Sequence, residues 1–350
     1  MIKLLLVSPK TMQSKGGIAV WTDIFLENCE KHDISCDLLN IATIGSRAKL
    51  GNSKRNFIDE FVRTNNIFNN LNSMLEKQHY DVVHINTACG SFGLIRDYLV
   101  AIKIKKCQPN CKIVVHFHCD IEDQCCSKLA RRVLSNFLKI SDKVLVLNKR
   151  NWLFLNSFCQ LEAEIVPNFI DNSIIRTIKK EVSSTINRAI FVGYVRPEKG
   201  IYEIYQLAKE FPKISFNLIG EIHEAVEKWD KPSNVFLCGK KAHEDILIEL
   251  DKSDIFVFLS HSEGFSIALL ESMARGLPCL ATDVGANKEM LENQGGIIVQ
   301  TGDIEAMNEA IYLLGNQGTR SDMSKWNINK VNSYYTVGKV IDSIKELYKC

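Results

Sequence analysis

The sequence predicts an α/β protein built from two doubly wound domains, and three observations support this. Short apolar runs alternate with amphipathic stretches along nearly all of the 350 residues. Such alternation is typical of a parallel sheet that is covered by helices on both faces. The pattern begins again at Arg188, and the chain is too long for one ordinary core. We therefore expect domains at residues 1–168 and 169–332, with a C-terminal helix at about 333–350 that packs back on the first domain.

In the first domain, each strand is predicted from a short apolar run and each helix from apolar residues at helical spacing. The strands are predicted at Lys3–Ser8, Asp37–Ile41, Asp81–Ile85, Lys112–His118, Lys143–Leu147 and Glu164–Val166. The helices are predicted at Ile18–Lys31, Phe57–Lys77, Phe92–Lys106, Lys128–Ile140 and Asn151–Phe158. Ligands of open α/β sheets bind beyond the carboxyl ends of the strands, so residues at those ends are the functional candidates.

The second domain repeats the same alternation after a join at about Pro167–Asn187. Its strands are predicted at Arg188–Gly193, Ile214–Gly220, Asn234–Leu237, Asp254–Leu259, Pro278–Thr282 and Gly296–Val299. Its helices are predicted at Ile201–Phe211, His243–Asp251, Phe265–Arg275 and Ile304–Leu314, and a further helix at Ser333–Tyr348 ends the chain. With two such sheets, the natural place for an active site is the cleft between the domains.

Charge is distributed unevenly along the chain. The net charge is +2, but residues 1–165 hold 22 Lys and Arg against 16 Asp and Glu, whereas the remainder carries −4. A basic first half suits an anionic partner such as a phospholipid surface or a lipid-linked diphosphate; ordinary solvated charge is the alternative. Nothing in the sequence indicates a nucleic-acid partner, and no apolar run is long enough to span a bilayer.

The twelve cysteines are irregularly spaced, and the sequence has no N-x-[ST] sequon and no signal-peptide pattern. We therefore expect reduced thiols and a cytoplasmic protein, with contact at the inner face of the cell membrane as a further option. Cys107 and Cys111, or His118-Cys119 with Cys125-Cys126, suggest a metal site only weakly, because no second spaced pair completes it. The basic, amphipathic segment 128–138 either lies on an anionic membrane or packs on the sheet, and packing is favoured.

Two short motifs mark the first domain. Gly16 and Gly17 follow the first strand at the start of a helix, where a ligand can approach the backbone closely and an anion is attracted. They match neither dinucleotide nor P-loop fingerprint, so a plain turn is the alternative. Alternation along the fourth strand places His116 and His118 on one face, with His118 at the strand end. There a histidine can hydrogen-bond a sugar hydroxyl, although a structural role is common for histidines.

The segment 193–200 carries cations at the start of the second domain. A strand ends at Gly193, and the loop that follows brings Arg196 and Lys199 to the start of a helix. Two cations beside a helix N-terminus form a strong phosphate site.

The segment 260–278 is the most specific part of the sequence. It runs through a strand end, a loop with Gly264, a helix, Gly276 and Pro278. Glu263 and Glu271 are eight positions apart, just over two helical turns, so both carboxylates are expected to face one cleft. Glu271 interrupts an apolar run, and a buried acid there needs a partner.

These segments resemble the family 4 glycosyltransferases, whose two Rossmann-like domains face a central cleft in the GT-B fold. The pair Glu263 and Glu271 matches that family's paired glutamates, and Gly193–Gly200 resembles its phosphate-binding loop. Segments 166–171 and 283–289, with Gly16-Gly17 and His118, also fit. The resemblance covers nearly the whole chain, and its most specific motifs lie in the second half.

The resemblance implies that the first domain binds the acceptor and the second binds a nucleotide-sugar donor. Glu271 would then hold the donor ribose, Glu263 the transferred sugar, and Arg196 with Lys199 the diphosphate. His118 would contact the donor sugar near the reacting carbon. The remaining donor-binding positions implied are Gly16, Gly17, Gly193, Gly264, Phe265 and Ser266.

Three positions depart from the family pattern. Tyr194 stands where the family often has an arginine, and Arg196 is the candidate to replace that guanidinium. The second domain's glycine-rich turn is reduced to Gly220-Glu221-Ile222. Asn148 stands where a serine is usual.

We expect a retaining hexosyl- or N-acetylhexosaminyltransferase that uses a nucleotide diphosphate sugar, with UDP favoured, and a saccharide or lipid-linked acceptor. Bacterial surface polysaccharide assembly is the expected setting. No Asp-x-Asp occurs, so we expect no essential metal and no other cofactor. Two alternatives stay open at this point: a nucleotide-sugar 2-epimerase using Asp120 and Glu122, and a non-catalytic nucleotide-sugar or membrane-binding protein.

Overall fold

The computed structural model of the protein describes residues 1–10, 16–42, 57–177 and 181–349. It divides into two compact units. The first comprises Met1–Asn168 with Val337–Cys350, and the second comprises Phe169–Thr336. Each unit contains one parallel sheet with helices around it, so the predicted fold class is confirmed.

The first unit's described residues form a six-stranded parallel sheet of order β2-β1-β3-β4-β5-β6. The strands are β1 (Ile2–Ser8), β2 (Ile34–Asn40), β3 (Val82–Thr87), β4 (Lys112–Phe117), β5 (Lys143–Val146) and β6 (Glu164–Ile165). The helices are α1 (Gly17–Asn28), α2 (Phe57–Lys77), α3 (Ser91–Cys107), α4 (Ile121–Gln124), α5 (Lys128–Ile140) and α6 (Lys149–Cys159). The strand order reverses at β1, which lies between β2 and β3.

The two faces of this sheet differ in chemistry. The apolar core includes Val83 and Ile85 of β3, and it continues into α2, α3 and α5. The alternate residues of β3, His84 and Asn86, are also buried, and the Trp21 ring of α1 lies against His84. Successive side chains point to opposite faces of a strand, so one face is apolar and the other is buried but polar.

Helix α5 settles the two interpretations of segment 128–138. Its side chains Leu134, Phe137 and Leu138 are buried in the core of the first unit. The apolar stripe therefore packs on the sheet, as favoured, and is not offered to a membrane. Among the described residues, no helix has both the length and the apolar character needed to cross a bilayer.

The second unit's described residues form another six-stranded parallel sheet, of order β12-β11-β10-β7-β8-β9. The strands are β7 (Arg188–Val192), β8 (Ser215–Ile219), β9 (Val235–Gly239), β10 (Ile255–Phe258), β11 (Cys279–Thr282) and β12 (Gly296–Val299). The helices are α7 (Ile201–Glu210), α8 (Glu224–Glu227), α9 (His243–Asp251), α10 (Ile267–Ala274), α11 (Asn287–Leu291), α12 (Ile304–Leu314) and α13 (Gln317–Tyr334). Here the order reverses between β7 and β10.

The predicted C-terminal helix is present but begins later than predicted, and a helix that the sequence did not predict precedes it. The sequence placed one helix at 333–350, whereas α13 ends at Tyr334 and a separate helix, α14 (Val337–Lys349), follows and contacts α1. Helix α13 escaped prediction because it buries polar residues. Arg320 donates to the Leu314 carbonyl at 2.7 Å, and Asn327 donates to the Leu277 and Gly295 carbonyls at 2.7 and 2.8 Å. A helix whose buried face is hydrogen-bonded carries no apolar period.

Candidate functional site

The switch point of the second sheet holds the central ion pair. The loops after β7 and β10 start from neighbouring strands, where ligands of open α/β sheets bind. Lys199, in the first loop, hydrogen-bonds through Nζ to Oε1 of Glu263 in the second. Both side chains are largely buried. The structure thus brings together two residues that the sequence placed in separate motifs.

A glycine permits the close approach of these loops. Gly200 ends the short 3₁₀ helix Pro197–Lys199 with a φ of 74°. A Cβ added there would stand 2.1 Å from the Leu259 carbonyl oxygen, at the end of β10. Any side chain at position 200 would therefore push the Lys199 loop away from the Glu263 loop.

Glu271 has the partner that its buried position requires. It lies on α10 and is 7% exposed, and His243 Nε2, at the start of α9, is 2.7 Å from Glu271 Oε1. The hydrogen bond to Glu271 raises the pKa of His243, and burial opposes this in part. The pair therefore gives the buried Glu271 side chain the hydrogen-bond partner that its position requires. The sequence predicted the need for a partner, but His243 itself carried no signal.

The spacing argument for the two glutamates is partly wrong. The interval 263–271 is not helical throughout, because α10 begins only at Ile267. Ser266 caps this helix, and its hydroxyl accepts from the Leu269 amide at 3.2 Å. Glu263 therefore lies in the preceding loop, and each carboxylate has its own basic partner.

The loop after β11 supports the Glu263 loop. The Ala286 amide donates to the Gly264 carbonyl at 3.0 Å. Gly285 has a φ of 53°, and a Cβ there would lie 2.3 Å from the Glu263 carbonyl oxygen. The predicted motif at 282–289 thus buttresses the backbone of the Glu263 loop, a contact that only glycine allows. Phe265 is buried in the same loop against the Tyr335 ring.

Arg196 is the more exposed cation of the site. Its side chain is 43% exposed, against 18% for Lys199, and its Nε is 3.7 Å from the Glu198 carboxylate. The guanidinium carbon lies 5.5 Å from the centroid of the Tyr194 ring. The residue that departs from the family pattern therefore supports the guanidinium two positions later through a cation–π contact. Gly193 packs against Gly220, where an added Cβ would be 1.8 Å from the Gly193 carbonyl oxygen.

The first unit contains Gly16, Gly17 and His118. Gly16 precedes α1 with a φ of 122° and no side-chain cap. His118 directly follows β4, and its ring centroid is 4.1 Å from that of His116, so the predicted shared face is confirmed. The ring of Trp21, from α1, stands edge-on to His118 at 5.5 Å.

Burial keeps both of these histidines neutral. It lowers the pKa of His116 to about 3. The pKa of His118 is lowered well below its usual range by burial and then by His116 and His84, while a hydrogen bond with Asn168 acts in the opposite direction. His118 Nε2 lies 3.0 Å from Asn86 Oδ1. The sequence analysis did not name Asn86, since a polar residue inside a buried strand carries no distinctive pattern. It included Asn168 only as part of segment 166–171 and gave that residue no role.

The proposed epimerase acids have other roles. Asp120 caps α4, and its Oδ2 is 3.1 Å from Arg150 Nη1. Glu122 is 3.7 Å from the same guanidinium. Burial raises the pKa of Asp120, while its hydrogen bond from the Asp123 amide and the charge of Arg150 act in the opposite direction. Both candidate acids thus lie against one arginine, and their geometry gives the epimerase alternative no specific support. Asn148, the unexplained departure, caps α6 by accepting from the Asn151 amide at 2.9 Å.

Metal and disulfide chemistry find no support in the residues that the structure describes. These residues contain no group of three or more potential metal-ligating side chains. The eleven cysteines among them are free thiols.

Comparison with known proteins identifies similar chains and folds. Residues 175–330 match the family model described as Glycosyl transferases group 1. The chain is 24% identical over 311 residues to the UDP-Gal:alpha-D-GlcNAc-diphosphoundecaprenol alpha-1,3-galactosyltransferase of Escherichia coli, covering 79% of this chain and 77% of that one. The match with the family model falls on the unit that holds Lys199, Glu263 and Glu271.

Two solved structures share the fold over the whole chain. Sucrose-phosphate synthase from Thermosynechococcus elongatus superposes with a TM-score of 0.82 at 16% identity, covering 100% of this chain and 98% of that one. Anabaena HepE, in complex with UDP-glucose, superposes with a TM-score of 0.76 at 15% identity and covers 100% of both chains.

Proposed function

We propose that this protein, a glycosyltransferase of the GT-B fold, transfers a hexose or N-acetylhexosamine to a saccharide or lipid-linked saccharide. The donor is a nucleotide diphosphate sugar, and the group 1 domain spans residues 175–330. The anomeric configuration is retained. The setting is bacterial surface polysaccharide biosynthesis. The non-catalytic alternative is set aside, because the chain is a transferase.

The observation that carries this proposal is the pairing of both site glutamates with basic side chains at the switch point. Lys199 binds Glu263, and His243 binds Glu271. Carboxylates held in this way accept hydrogen bonds from sugar hydroxyls, as a nucleotide sugar requires. Glu271 is the ligand for the ribose, and Glu263 is the ligand for the transferred sugar.

The cations act on the leaving group. As the anomeric bond breaks, negative charge develops on the oxygen of the departing diphosphate. Arg196 and Lys199, on the loop after β7, supply positive charge there, and each such contact is worth roughly 2–4 kcal/mol of barrier. Because these side chains neutralise the diphosphate, we propose that turnover needs neither a divalent metal nor another cofactor. Undiminished activity in EDTA is the expected result.

Retention is proposed from the resemblance to the family 4 glycosyltransferases. Because Glu263 and Glu271 are both engaged in hydrogen-bonded pairs, we propose that retention proceeds without a covalent intermediate, by attack of the acceptor on the face that the leaving group vacates. Anomeric analysis of the product by NMR checks this, and an inverted product would contradict it.

The donor base and the acceptor are proposed from the relatives. The E. coli relative uses UDP-Gal and a diphosphoundecaprenol-linked sugar, and HepE was solved with UDP-glucose. We propose a UDP-linked donor and a lipid-linked acceptor at the inner face of the cell membrane. The basic first half of the chain supports contact with an anionic bilayer. Liposome flotation that does not respond to anionic lipid would contradict this contact.

The test of the donor site is a thermal-shift and hydrolysis panel of nucleotide sugars, with EDTA present throughout. We expect one uridine-linked sugar to raise the Tm of the wild-type protein and to be slowly hydrolysed. Glu271→Gln should weaken both effects, because a hydrogen bond to a charged acceptor, worth about 1.5–3 kcal/mol, is replaced by one to a neutral amide, worth about 0.5–1.5 kcal/mol. Stabilisation of both proteins to the same extent would exclude the ribose role of Glu271.

A matched control exists in the same unit. Glu203 is a second buried glutamate whose Oε1 is 2.8 Å from a histidine Nε2, that of His261. Glu203→Gln should change the Tm of the ligand-free protein as Glu271→Gln does, while the shift produced by the donor persists. This separates loss of binding from loss of a buried pair.

A further inference from the structure

A chain of four hydrogen bonds runs across the polar face of the first sheet. Thr22 Oγ1 is 2.8 Å from the Ile18 carbonyl oxygen, and Ser8 Oγ is 2.6 Å from Thr22 Oγ1. Asn86 Nδ2 is 3.0 Å from Ser8 Oγ, and His118 Nε2 is 3.0 Å from Asn86 Oδ1. The side chains of Ser8, Thr22 and Asn86 are at most 1% exposed, so water does not substitute for these partners.

The direction of every bond in this chain is determined by the first one. A carbonyl oxygen only accepts, so Thr22 must donate its single hydroxyl proton to Ile18. Thr22 therefore accepts a hydrogen bond from the Ser8 hydroxyl, which uses the only proton of that hydroxyl. Ser8 can then only accept from Asn86, and the group that faces it is the side-chain amide nitrogen. The amide oxygen of Asn86 then faces His118, and only a protonated Nε2 can satisfy it.

We propose that this chain holds His118 as its Nε2–H tautomer, so that its other contacts, with Asn168 and with a hydroxyl of the donor sugar, are made by Nδ1 as an acceptor. Ser8, Thr22 and Asn86 are positioning residues, because they act through His118. The contact with the sugar rests on the proposed function, whereas the tautomer is a property of the protein alone. His118 donates nothing further to a phosphate, since its single N–H is already engaged by Asn86.

The neighbouring histidine provides an internal reference. His116 Nε2 is 3.3 Å from the Val166 carbonyl oxygen, which only accepts, so His116 is also the Nε2–H tautomer. Its tautomer depends on the backbone and not on the hydroxyl chain. The low pKa values of both histidines, which burial causes, keep both rings neutral near pH 7. A change in the hydroxyl chain should therefore alter His118 and leave His116 unchanged.

The experiment is a multiple-bond 1H–15N correlation on full-length protein with 15N-labelled histidines, assigned by comparison with His118→Gln. In the wild-type protein, we expect the His118 signals of a single Nε2–H species. Thr22→Val keeps the shape but removes the hydroxyl, so Ser8 becomes free to donate to the Asn86 oxygen. The side-chain amide of Asn86 then rotates so that its nitrogen faces His118. His118 must therefore accept at Nε2, and an Nδ1–H species should appear. Thr22→Ser restores the wild-type pattern.

A control variant removes an equivalent hydroxyl elsewhere. Ser253 is buried, and its Oγ donates to the Glu249 carbonyl at 2.8 Å, four residues earlier, as Thr22 does to Ile18. Ser253→Ala should leave the His118 signals unchanged. If Thr22→Val fails to fold, Ser8→Ala interrupts the same chain at its next member and should broaden the tautomer distribution likewise.

Two results would overturn the tautomer assignment. One is an Nδ1–H species at His118 in the wild-type protein, and the other is a folded Thr22→Val protein whose His118 signals do not move. Activity tests the sugar contact separately: Thr22→Val should lower kcat by about tenfold, the effect of one hydrogen bond, with Thr22→Ser close to wild type. A tautomer that changes while kcat does not would refute the sugar contact alone.

Discussion

The second unit pairs its buried carboxylates with basic side chains, whereas the first unit buries neutral histidines side by side. Glu263 faces Lys199 and Glu271 faces His243, so each carboxyl group has a basic side chain as its partner. On the polar face of the first sheet, His116 and His118 lie with ring centroids 4.1 Å apart, and burial removes their charge. In the function that we propose, the second unit binds a diphosphate, which requires the cations Arg196 and Lys199, whereas His118 of the first unit needs only to offer an oriented acceptor to a sugar hydroxyl.

The largest effect on activity is expected from removing the Lys199 cation of the second unit. Lys199→Met keeps the length of the side chain but removes the cation from the diphosphate and from Glu263. We expect kcat with the donor to fall by roughly 10²–10³-fold, because one contact to the developing charge is lost. Steady-state kinetics with a saturating acceptor measure this.

A charge-preserving variant and a lower limit on the loss of activity test the role of Lys199 further. Lys199→Arg keeps the charge and should recover part of the activity, although the guanidinium fits the Glu263 carboxylate with different geometry. A loss of less than about threefold for Lys199→Met would remove Lys199 from the leaving-group site, since that corresponds to well under 1 kcal/mol.

Stability should respond to pH with opposite slopes in the two units. The pKa of His116 is about 3 in the folded protein, below its usual 6.5, so the unfolded chain binds the proton more readily. Stability of the first unit is therefore lost as the pH falls below 6.5. The pKa of His243 is raised, so the stability that its pair contributes is complete below 6.5 and is lost as the pH rises through the folded pKa.

Urea unfolding between pH 4 and pH 9 tests these slopes, with variants that carry a neutral amide. His116→Gln keeps a donor for Val166 and should make the acid side of the profile less steep, while the alkaline side is unchanged. His243→Gln should do the reverse. If either substitution changed the opposite side of the profile, the assignment of charge to the two regions would be wrong.

The contrast also explains how far the sequence predicts this protein. The fold class and nearly all strands follow from apolar runs, because buried parallel strands must be apolar along their length. Glu263, Glu271, Arg196 and Lys199 stand in ordered motifs, so the sequence could single them out as candidates, and their functional roles stay predictions. His243 and Asn86 could not be singled out in this way. Each matters because of the side chain that it contacts, and the pattern of a single sequence contains no information about such contacts.

Helix α13 shows the same limit at the level of secondary structure. Its buried face consists largely of Arg320, Ser324 and Asn327, so the apolar period that reveals other helices is missing. Hydrogen bonds to backbone carbonyls stabilise it instead, and their partners lie far away in the sequence. Apolar periodicity therefore does not predict a helix whose buried face makes polar contacts. In the same way, sequence motifs do not identify a site residue that acts through another residue.

The smallest expected effect comes from the aromatic support of Arg196. Tyr194→Leu removes the ring under the guanidinium, and an exposed cation–π contact is worth about 0.5–1 kcal/mol, so we expect the KM for the donor to rise about two- to fivefold. Tyr194→Phe keeps the ring and should resemble the wild-type protein, which separates the aromatic face from the hydroxyl. A larger rise than for Arg196→Ala would mean that Tyr194 contacts the donor directly. If the wild-type protein, Tyr194→Leu and Arg196→Ala had equal KM values for the donor, Lys199 alone would hold the diphosphate. The cation that matters in the second unit would then be the one paired with Glu263.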